Sequence, residues 1–248
     1  DNSLFRTTNG FWIGSFYFLI VSLLINFFRQ VRYKFGERVL RNMFFGKYHR
    51  PRVEERVFMF LDLKSSTGLT EELGHENYSR LIKSCFLDLT DIVLKYDAEI
   101  YQYVGDEAIL TWRVKSSDQY IPFLELYEAY RKKLLNRKVY YFKHFGVQPE
   151  FKAGVSKGKV SVTEVGDIKR EIAFHGDALN VGSRLCGQCR ILERDFVFDA
   201  TLVLHLSPDC QRDVSAHGPL EVRGRKELVE VMSWSADSSI VQPQLQSV

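Results

Sequence analysis

Cysteine is scarce in this sequence, and its scarcity narrows the possible fold classes. The 248 residues include four cysteines, Cys85, Cys186, Cys189 and Cys210. A small disulfide-stabilised scaffold needs a much denser set, so we expect reduced thiols in a reducing compartment. Cys186 and Cys189 have the spacing of half a zinc site or of a redox pair, but no second pair and no histidine tract accompanies them.

Several familiar functional patterns are also missing. The six histidines show no metal-ligand spacing, and the sequence contains no Ser-His-Asp set, no Walker loop and no recognisable nucleic-acid-binding motif. The net charge is only +3, and its excess falls in one short basic stretch from Arg29 to Arg52. We therefore expect a local basic surface and no nucleic-acid partner. At 45% hydrophobic residues, the chain can bury one sizeable core.

The N-terminal region contains an uncharged apolar run over residues 11–28. Its length suits a helix that crosses a bilayer, whereas a buried core helix or a cleaved signal peptide fits the pattern less well. Basic residues follow the run, so we expect an inner or plasma membrane protein whose C-terminal part is cytoplasmic. The chain does not begin with methionine, which suggests further spans upstream. We predict an extracytoplasmic end and transmembrane helix (1–28), an amphipathic helical linker (29–54), a separate folded domain (55–234) and a flexible tail (235–248).

Strands and helices alternate through the predicted domain over residues 55–234. Apolar periodicity and the Gly-Asp pair of the hairpin predict the order β-α-β-β-α-β, which is the ferredoxin-like α+β arrangement, with extra strands added. We expect strands over 56–63, 98–104, 107–112, 149–166 and 170–176, short strands near 195–199, 215–222 and 227–234, and helices over 67–96 (either one long helix or a helix with a break near Gly74), 122–146 and 177–190.

Two aspartates stand out against this background. Asp62 interrupts the apolar strand VFMFLDL, and a buried carboxylate there needs a compensating cation. The following residues, KSSTGLT, lead into a helix whose first N–H groups can hold phosphate. Asp106 lies at the tip of the predicted hairpin YVGDEAI, where it is either an ordinary turn residue or a second metal ligand. If the strand and the hairpin are neighbours, the two carboxylates flank a phosphate site, as divalent-metal phosphoryl chemistry requires.

Four motifs, in order, resemble the catalytic domain of class III adenylate and guanylate cyclases. They are FLDLKSST (60–67), YVGDEAI (103–109), FHGDALNVGSR (174–184) and EVRGRKE (221–227), and the resemblance covers roughly residues 55–234. The hairpin alone also resembles that of diguanylate cyclases. That family is the lesser match, because Val104 and Ala108 replace its first Gly and its Phe.

The resemblance implies a site and a reaction. It implies that ATP becomes 3′,5′-cyclic AMP and pyrophosphate at two Mg²⁺ or Mn²⁺ ions, in a homodimer whose two chains share each active site. Asn180 would orient the ribose, and Arg184 would neutralise charge on the α-phosphate. The metal positions would be Asp62, Leu63 and Asp106, and the substrate-binding positions would be Ser65, Ser66, Thr67, Gln102, Ala173 and Arg225.

The positions that read the base depart from the family pattern. Adenylate cyclases usually have Lys at the position of Gln102 and Asp or Thr at that of Ala173, and guanylate cyclases usually have Glu and Cys. A Gln side chain can serve either purine, because its amide both donates and accepts. We therefore predict an adenylate cyclase, with a guanylate cyclase or a catalytically silent nucleotide-binding or dimerisation module as the alternatives.

Overall fold

The computed structural model describes residues 2–35, 48–117, 119–168, 170–208, 210–220 and 228–235. The chain divides into two compact units, one made of residues 1–52 and 162–173 and the other of residues 53–161 and 174–248. The helices are α1 (Asn2–Phe35), α2 (Ser66–Lys95), α3 (Phe123–Asn136), α4 (Lys138–Phe145) and α5 (Asp177–Ile191). The strands are β1 (Arg52–Leu63), β2 (Glu99–Val104), β3 (Glu107–Arg113), β4 (Phe151–Val165), β5 (Glu171–His175), β6 (Phe196–Asp199), β7 (Val214–Leu220) and β8 (Val229–Trp234).

The first unit contains α1 and the segment around Glu164. Its large apolar side chains between Trp12 and Phe28 are mostly exposed. Among the described residues, no helix combines the length and the apolar character of a membrane span. The span predicted over residues 11–28 is therefore not supported. The linker predicted over 29–54 lies only partly within the described residues, because residues 36–47 fall outside them.

The second unit contains most of an eight-stranded sheet in the order β2-β3-β1-β4-β6-β8-β7, with β5 paired to β4 outside this path. The strands β2-β3-β1-β4, together with α2 and α3, form the ferredoxin-like core, so the predicted β-α-β-β-α-β order is confirmed. One face of the sheet buries the larger core, to which α2, α3 and α4 contribute. A smaller core lies between α5 and strands β6 and β8.

Two helical predictions meet different outcomes. Of the two alternatives for residues 67–96, the helix with a break is confirmed, because Gly74 has φ 71° and ψ 160° inside α2. The single helix predicted over 122–146 is wrong, because α3 ends and α4 begins around Arg137, whose φ of −96° and ψ of 15° are not helical. Arg137 forms an ion pair with buried Asp88 of α2 and lies 4.0 Å from the Tyr140 ring centroid. These contacts anchor the chain at the junction of α3 and α4.

Candidate active site

The two predicted metal ligands meet at one edge of the sheet. Strands β1 and β3 are antiparallel, and their register places Asp62 directly opposite Glu107. Asp106 immediately precedes Glu107 in the β2–β3 turn, where Gly105 takes a φ of +62° that favours glycine. Three carboxylates therefore lie close together at the end of β1.

Lys152 of β4 partly compensates this negative charge. Its Nζ lies 3.0 Å from Asp62 Oδ2, and both side chains are about three-quarters buried, at 22% and 25% exposed. Burial alone would lower the pKa of Lys152, but the hydrogen bond and charge of Asp62 together raise it above its usual value. The cation that a buried Asp62 was expected to need is thus a lysine of the chain itself.

Glu107 and Asp106 remain less compensated. Burial, followed by the charges of Asp62 and Asp106, raises the pKa of Glu107 to about 7, while Lys152 opposes the shift. Asp106 Oδ2 is buried and accepts no hydrogen bond among the described residues. A buried carboxylate oxygen without a donor is a costly arrangement, and an added cation would relieve it.

The turn after β1 has the geometry of an anion site. Ser65 adopts a left-handed conformation (φ 56°, ψ 30°), and no side chain caps the N-terminus of α2. The side chains of Ser65 and Thr67 are exposed, that of Ser66 is half-buried, and Leu63 is buried. The first N–H groups of α2 therefore have no side-chain acceptor, and they lie at the same edge of the sheet as Asp62.

Close packing fixes α5 on the opposite face of the sheet from α2. A Cβ atom added to Gly154 of β4 would lie 2.6 Å from Cys186 Cα, and one added to Gly182 would lie 2.8 Å from the Phe60 ring. Ser156 Oγ also donates to Ala178 O across 2.6 Å. By strand alternation, Asp62 is on the same face of β1 as Phe60. The helix that carries Asn180 and Arg184 therefore lies on the same face as Asp62.

The predicted catalytic pair on α5 has its side chains available. Asn180 is exposed and Arg184 is half-buried. Within the described residues, neither side chain has a hydrogen bond or an ion pair. An unpaired guanidinium is suited to an anionic ligand such as a phosphate group.

The remaining predicted substrate positions are only partly described. Gln102 is exposed on β2, opposite Ile109 of β3. Ala173 is half-buried on β5 and belongs to the other compact unit. Arg225 lies outside the described residues, as does the whole motif over 221–227.

The two cysteines of α5 face the sheet. Both are free and buried, and Cys189 Sγ donates to Ala153 O at 3.3 Å. Burial raises the pKa of Cys186 far above its usual value and that of Cys189 to about 12. Thiols in this state are poor nucleophiles and poor metal ligands.

The donor set at the edge of the sheet suits a hard divalent cation. In the described part of the chain, no three His, Cys, Asp or Glu side chains converge to hold a metal ion. Two carboxylates with a backbone carbonyl form a smaller set, which the oxygens of a bound triphosphate can complete, as Mg²⁺ usually requires. The buried, unpartnered Oδ2 of Asp106 fits this chemistry.

Sequence reasoning missed Lys152 and Glu107. A single lysine in a strand pattern, such as Lys152, usually indicates a side chain that faces solvent. Only the pairing of β1 with β4 places Lys152 beside Asp62. Glu107 directly follows Asp106, so the hairpin register could have identified it as the residue opposite Asp62. Tyr78 of α2 was also missed; burial, followed by the charge of Asp106, raises its pKa.

Comparisons with known proteins point to cyclases. The chain is 33% identical over 229 residues to Adenylate cyclase 2 of Rhizobium meliloti (strain 1021). The aligned region covers 90% of this chain and 61% of that protein. The chain thus spans less than two thirds of the relative's length. No protein-family model matches it.

Solved structures show the same fold. A bacterial light-regulated adenylyl cyclase matches 87% of this chain and 63% of its own, with a TM-score of 0.73 and 20% identity. The adenylyl cyclase CyaB from P. aeruginosa matches 76% of this chain and 97% of its own, with a TM-score of 0.62 and 19% identity. Guanylyl cyclase domains are also among the similar structures. The predicted cyclase fold is therefore confirmed, and the fold is shared by cyclases that act on either purine nucleotide.

Proposed function

We propose that the chain is an adenylate cyclase, which converts ATP to 3′,5′-cyclic AMP and pyrophosphate by two-metal-ion catalysis. One observation carries the proposal. Within a cyclase fold, Asp62 and Asp106 lie at one sheet edge beside an uncapped helix N-terminus, and one oxygen of Asp106 is buried without a partner. The similarity to Adenylate cyclase 2 of Rhizobium meliloti supports the choice of ATP.

Each residue has a role in this proposal. Asp62 and Asp106, with the backbone carbonyl of Leu63, would hold the Mg²⁺ or Mn²⁺ ions. When bound, such ions supply positive charge beside the phosphates and lower the pKa of the ribose 3′-hydroxyl. The N–H groups at the start of α2, over residues 65–67, would hold the triphosphate.

The reaction itself exchanges one P–O bond for another. The 3′-oxygen of the ribose bonds to the α-phosphorus, the bond from that phosphorus to the pyrophosphate oxygen breaks, and the hydroxyl proton passes to solvent. Arg184 would stabilise the charge that grows on the α-phosphate oxygens, and Asn180 would hold the ribose in line for the attack. Both side chains are free to do so, since neither is engaged within the described residues.

The active site is proposed to be shared between two copies of the chain. Class III cyclases, which the motifs resemble, form each site from the carboxylates of one chain and the Asn and Arg of the other. Both halves occur once in this sequence, so a symmetric dimer would have two complete sites. A single copy would then have no complete site and no activity.

Identification of the product tests the proposed function directly. The purified chain is incubated with Mn²⁺ and either ATP or GTP, and the products are separated by chromatography and identified by mass spectrometry. We expect cyclic AMP to form faster than cyclic GMP. A faster reaction with GTP would make the chain a guanylate cyclase, which Gln102 could also serve. If neither cyclic product forms while nucleotide still binds, the chain is a silent nucleotide-binding module.

A further inference from the structure

Strand β2 contains an irregularity immediately before the position that is predicted to read the base. Ile100 pairs with Leu110 of β3, but Gln102 pairs with Ile109, so the register shifts at Tyr101. This is a β-bulge, in which two residues of one strand oppose one residue of its neighbour. In a regular strand, Ile100 and Gln102 would share a face.

The bulge places Gln102 on the face of the proposed active site. Residues directly opposite each other in an antiparallel pair point to the same side, so Gln102 shares the face of Ile109 and of its β1 partner Phe60. Asp62 is on that face as well. Ile100 instead packs against the larger core on the other side of the sheet. Without the bulge, Gln102 would turn toward α2.

Tyr101, the extra residue of the bulge, is anchored by aromatic contacts. Its ring meets that of Phe174 of β5 edge to face, with centroids 4.8 Å apart. Phe174 also meets Phe58 of β1 edge to face at 5.5 Å. Edge-to-face pairs at these distances favour one relative orientation of the rings.

A buried arginine also contacts the Phe174 ring. The Arg56 guanidinium carbon lies 4.7 Å from the Phe174 ring centroid, and the Arg56 side chain is only 3% exposed. Arg56 forms ion pairs of 2.9 Å with both Glu54 and Glu99, so it has little freedom to move. Phe174 is therefore a fixed surface against which Tyr101 rests.

We propose that Tyr101 is a positioning residue for base selection. Its contact with Phe174 stabilises the bulge, and the bulge directs the exposed amide of Gln102 toward the nucleotide. The proposal rests on the proposed function, since it concerns how the same site discriminates ATP from GTP. A Gln amide that rotates freely can form hydrogen bonds with either purine. Any preference for ATP over GTP therefore requires that the backbone of this Gln be held in one position.

Tyr103 provides a matched control on the same strand. Its ring stacks on Phe86 of α2 with centroids 4.5 Å apart, on the face away from Gln102. Tyr101→Leu and Tyr103→Leu each remove one aromatic pair and keep an apolar side chain. Tyr101→Phe keeps the ring. Phe174→Leu breaks the Tyr101 contact from the β5 side.

The experiment measures kcat and KM for ATP and for GTP, together with thermal unfolding, in each full-length variant. We expect Tyr101→Leu and Phe174→Leu to raise the KM for ATP. The ratio of kcat/KM for ATP to kcat/KM for GTP should become about tenfold closer to one in both variants. Tyr101→Phe and Tyr103→Leu should keep the wild-type ratio. The inference is overturned if the ratio is unchanged in Tyr101→Leu, or if Tyr103→Leu changes it equally. A wild-type chain that makes no cyclic nucleotide would instead contradict the proposed function.

Discussion

Removing the charge of Lys152 should strengthen metal binding at the carboxylate edge. Lys152 Nζ lies 3.0 Å from Asp62 Oδ2, so its positive charge would repel a cation that approaches the Asp62 carboxylate. Lys152→Met keeps most of the apolar stem and removes only the ammonium group. The variant therefore tests whether the ion pair competes with the metal.

The size of the effect follows from the exposure of the pair. Two unit charges 3.0 Å apart interact by about 5 kcal/mol at an effective dielectric constant of about 20, which is an upper bound. Both side chains are nearly a quarter exposed, at 22% and 25%, so solvent screening and desolvation reduce the net value to about 1 kcal/mol. This corresponds to about a fivefold lower dissociation constant for Mn²⁺.

Electron paramagnetic resonance of free Mn²⁺, measured without nucleotide, gives this constant directly. Lys159→Met is the control, because Lys159 is an exposed lysine on the same strand and its loss changes the net charge equally. We expect tighter binding only in Lys152→Met. Equal or weaker Mn²⁺ binding by Lys152→Met would refute the competition, and equal tightening in both variants would attribute the effect to net charge alone.

Three further predictions concern the protonation, packing and sharing of the site. The pKa of Glu107 is raised to about 7 from a usual 4.5, so its contribution to the free energy of unfolding is fully present below pH 4.5 and is lost as the pH rises through about 7. Denaturant unfolding at several pH values should show this loss in the wild type but not in Glu107→Gln. Parallel pH profiles of the two proteins would contradict the prediction. Gly154→Ala should destabilise the fold by about 3 kcal/mol, because its Cβ would meet the α5 backbone, whereas Gly187→Ala, whose Cβ meets nothing within 4 Å, should not destabilise. Asp62→Asn and Arg184→Ala should each be nearly inactive, yet their mixture should recover about a quarter of wild-type activity through mixed dimers; a mixture that dimerises and stays inactive would contradict a shared site.

Local sequence patterns were sufficient to predict the core of the fold. Apolar runs and the glycine of the β2–β3 turn predicted the alternation of strands and helices. The adjacency of Asp62 and the Asp106 hairpin was only a condition of the metal-site hypothesis, and the β1–β3 pairing meets it. The break at Gly74 was one of two alternatives that the sequence left open, since glycine weakens a helix interior without always breaking it.

Features that depend on distant residues could not be predicted in this way. The helix predicted over 122–146 is divided around Arg137, whose ion-pair partner Asp88 lies on another helix. The Lys152–Asp62 pair depends on the neighbouring positions of β1 and β4 in the sheet. The bulge at Tyr101 occurs where its ring contacts Phe174, far along the chain, whereas the sequence of β2 alone is typical of a regular strand. The cellular location of the chain stays a prediction.

The cyclase activity of Asp106→Asn, compared with that of Asp97→Asn, tests the central claim most directly. Both aspartates lie in turns next to β2, and Asp97 is exposed with a φ of 53°, a conformation that Asn tolerates well. If Asp106 holds a catalytic metal ion, Asp106→Asn should lose at least about 100-fold in kcat with Mn²⁺ and ATP, while Asp97→Asn keeps wild-type turnover. Near-normal turnover by Asp106→Asn would show that Asp106 is only a turn residue and would contradict the proposed active site.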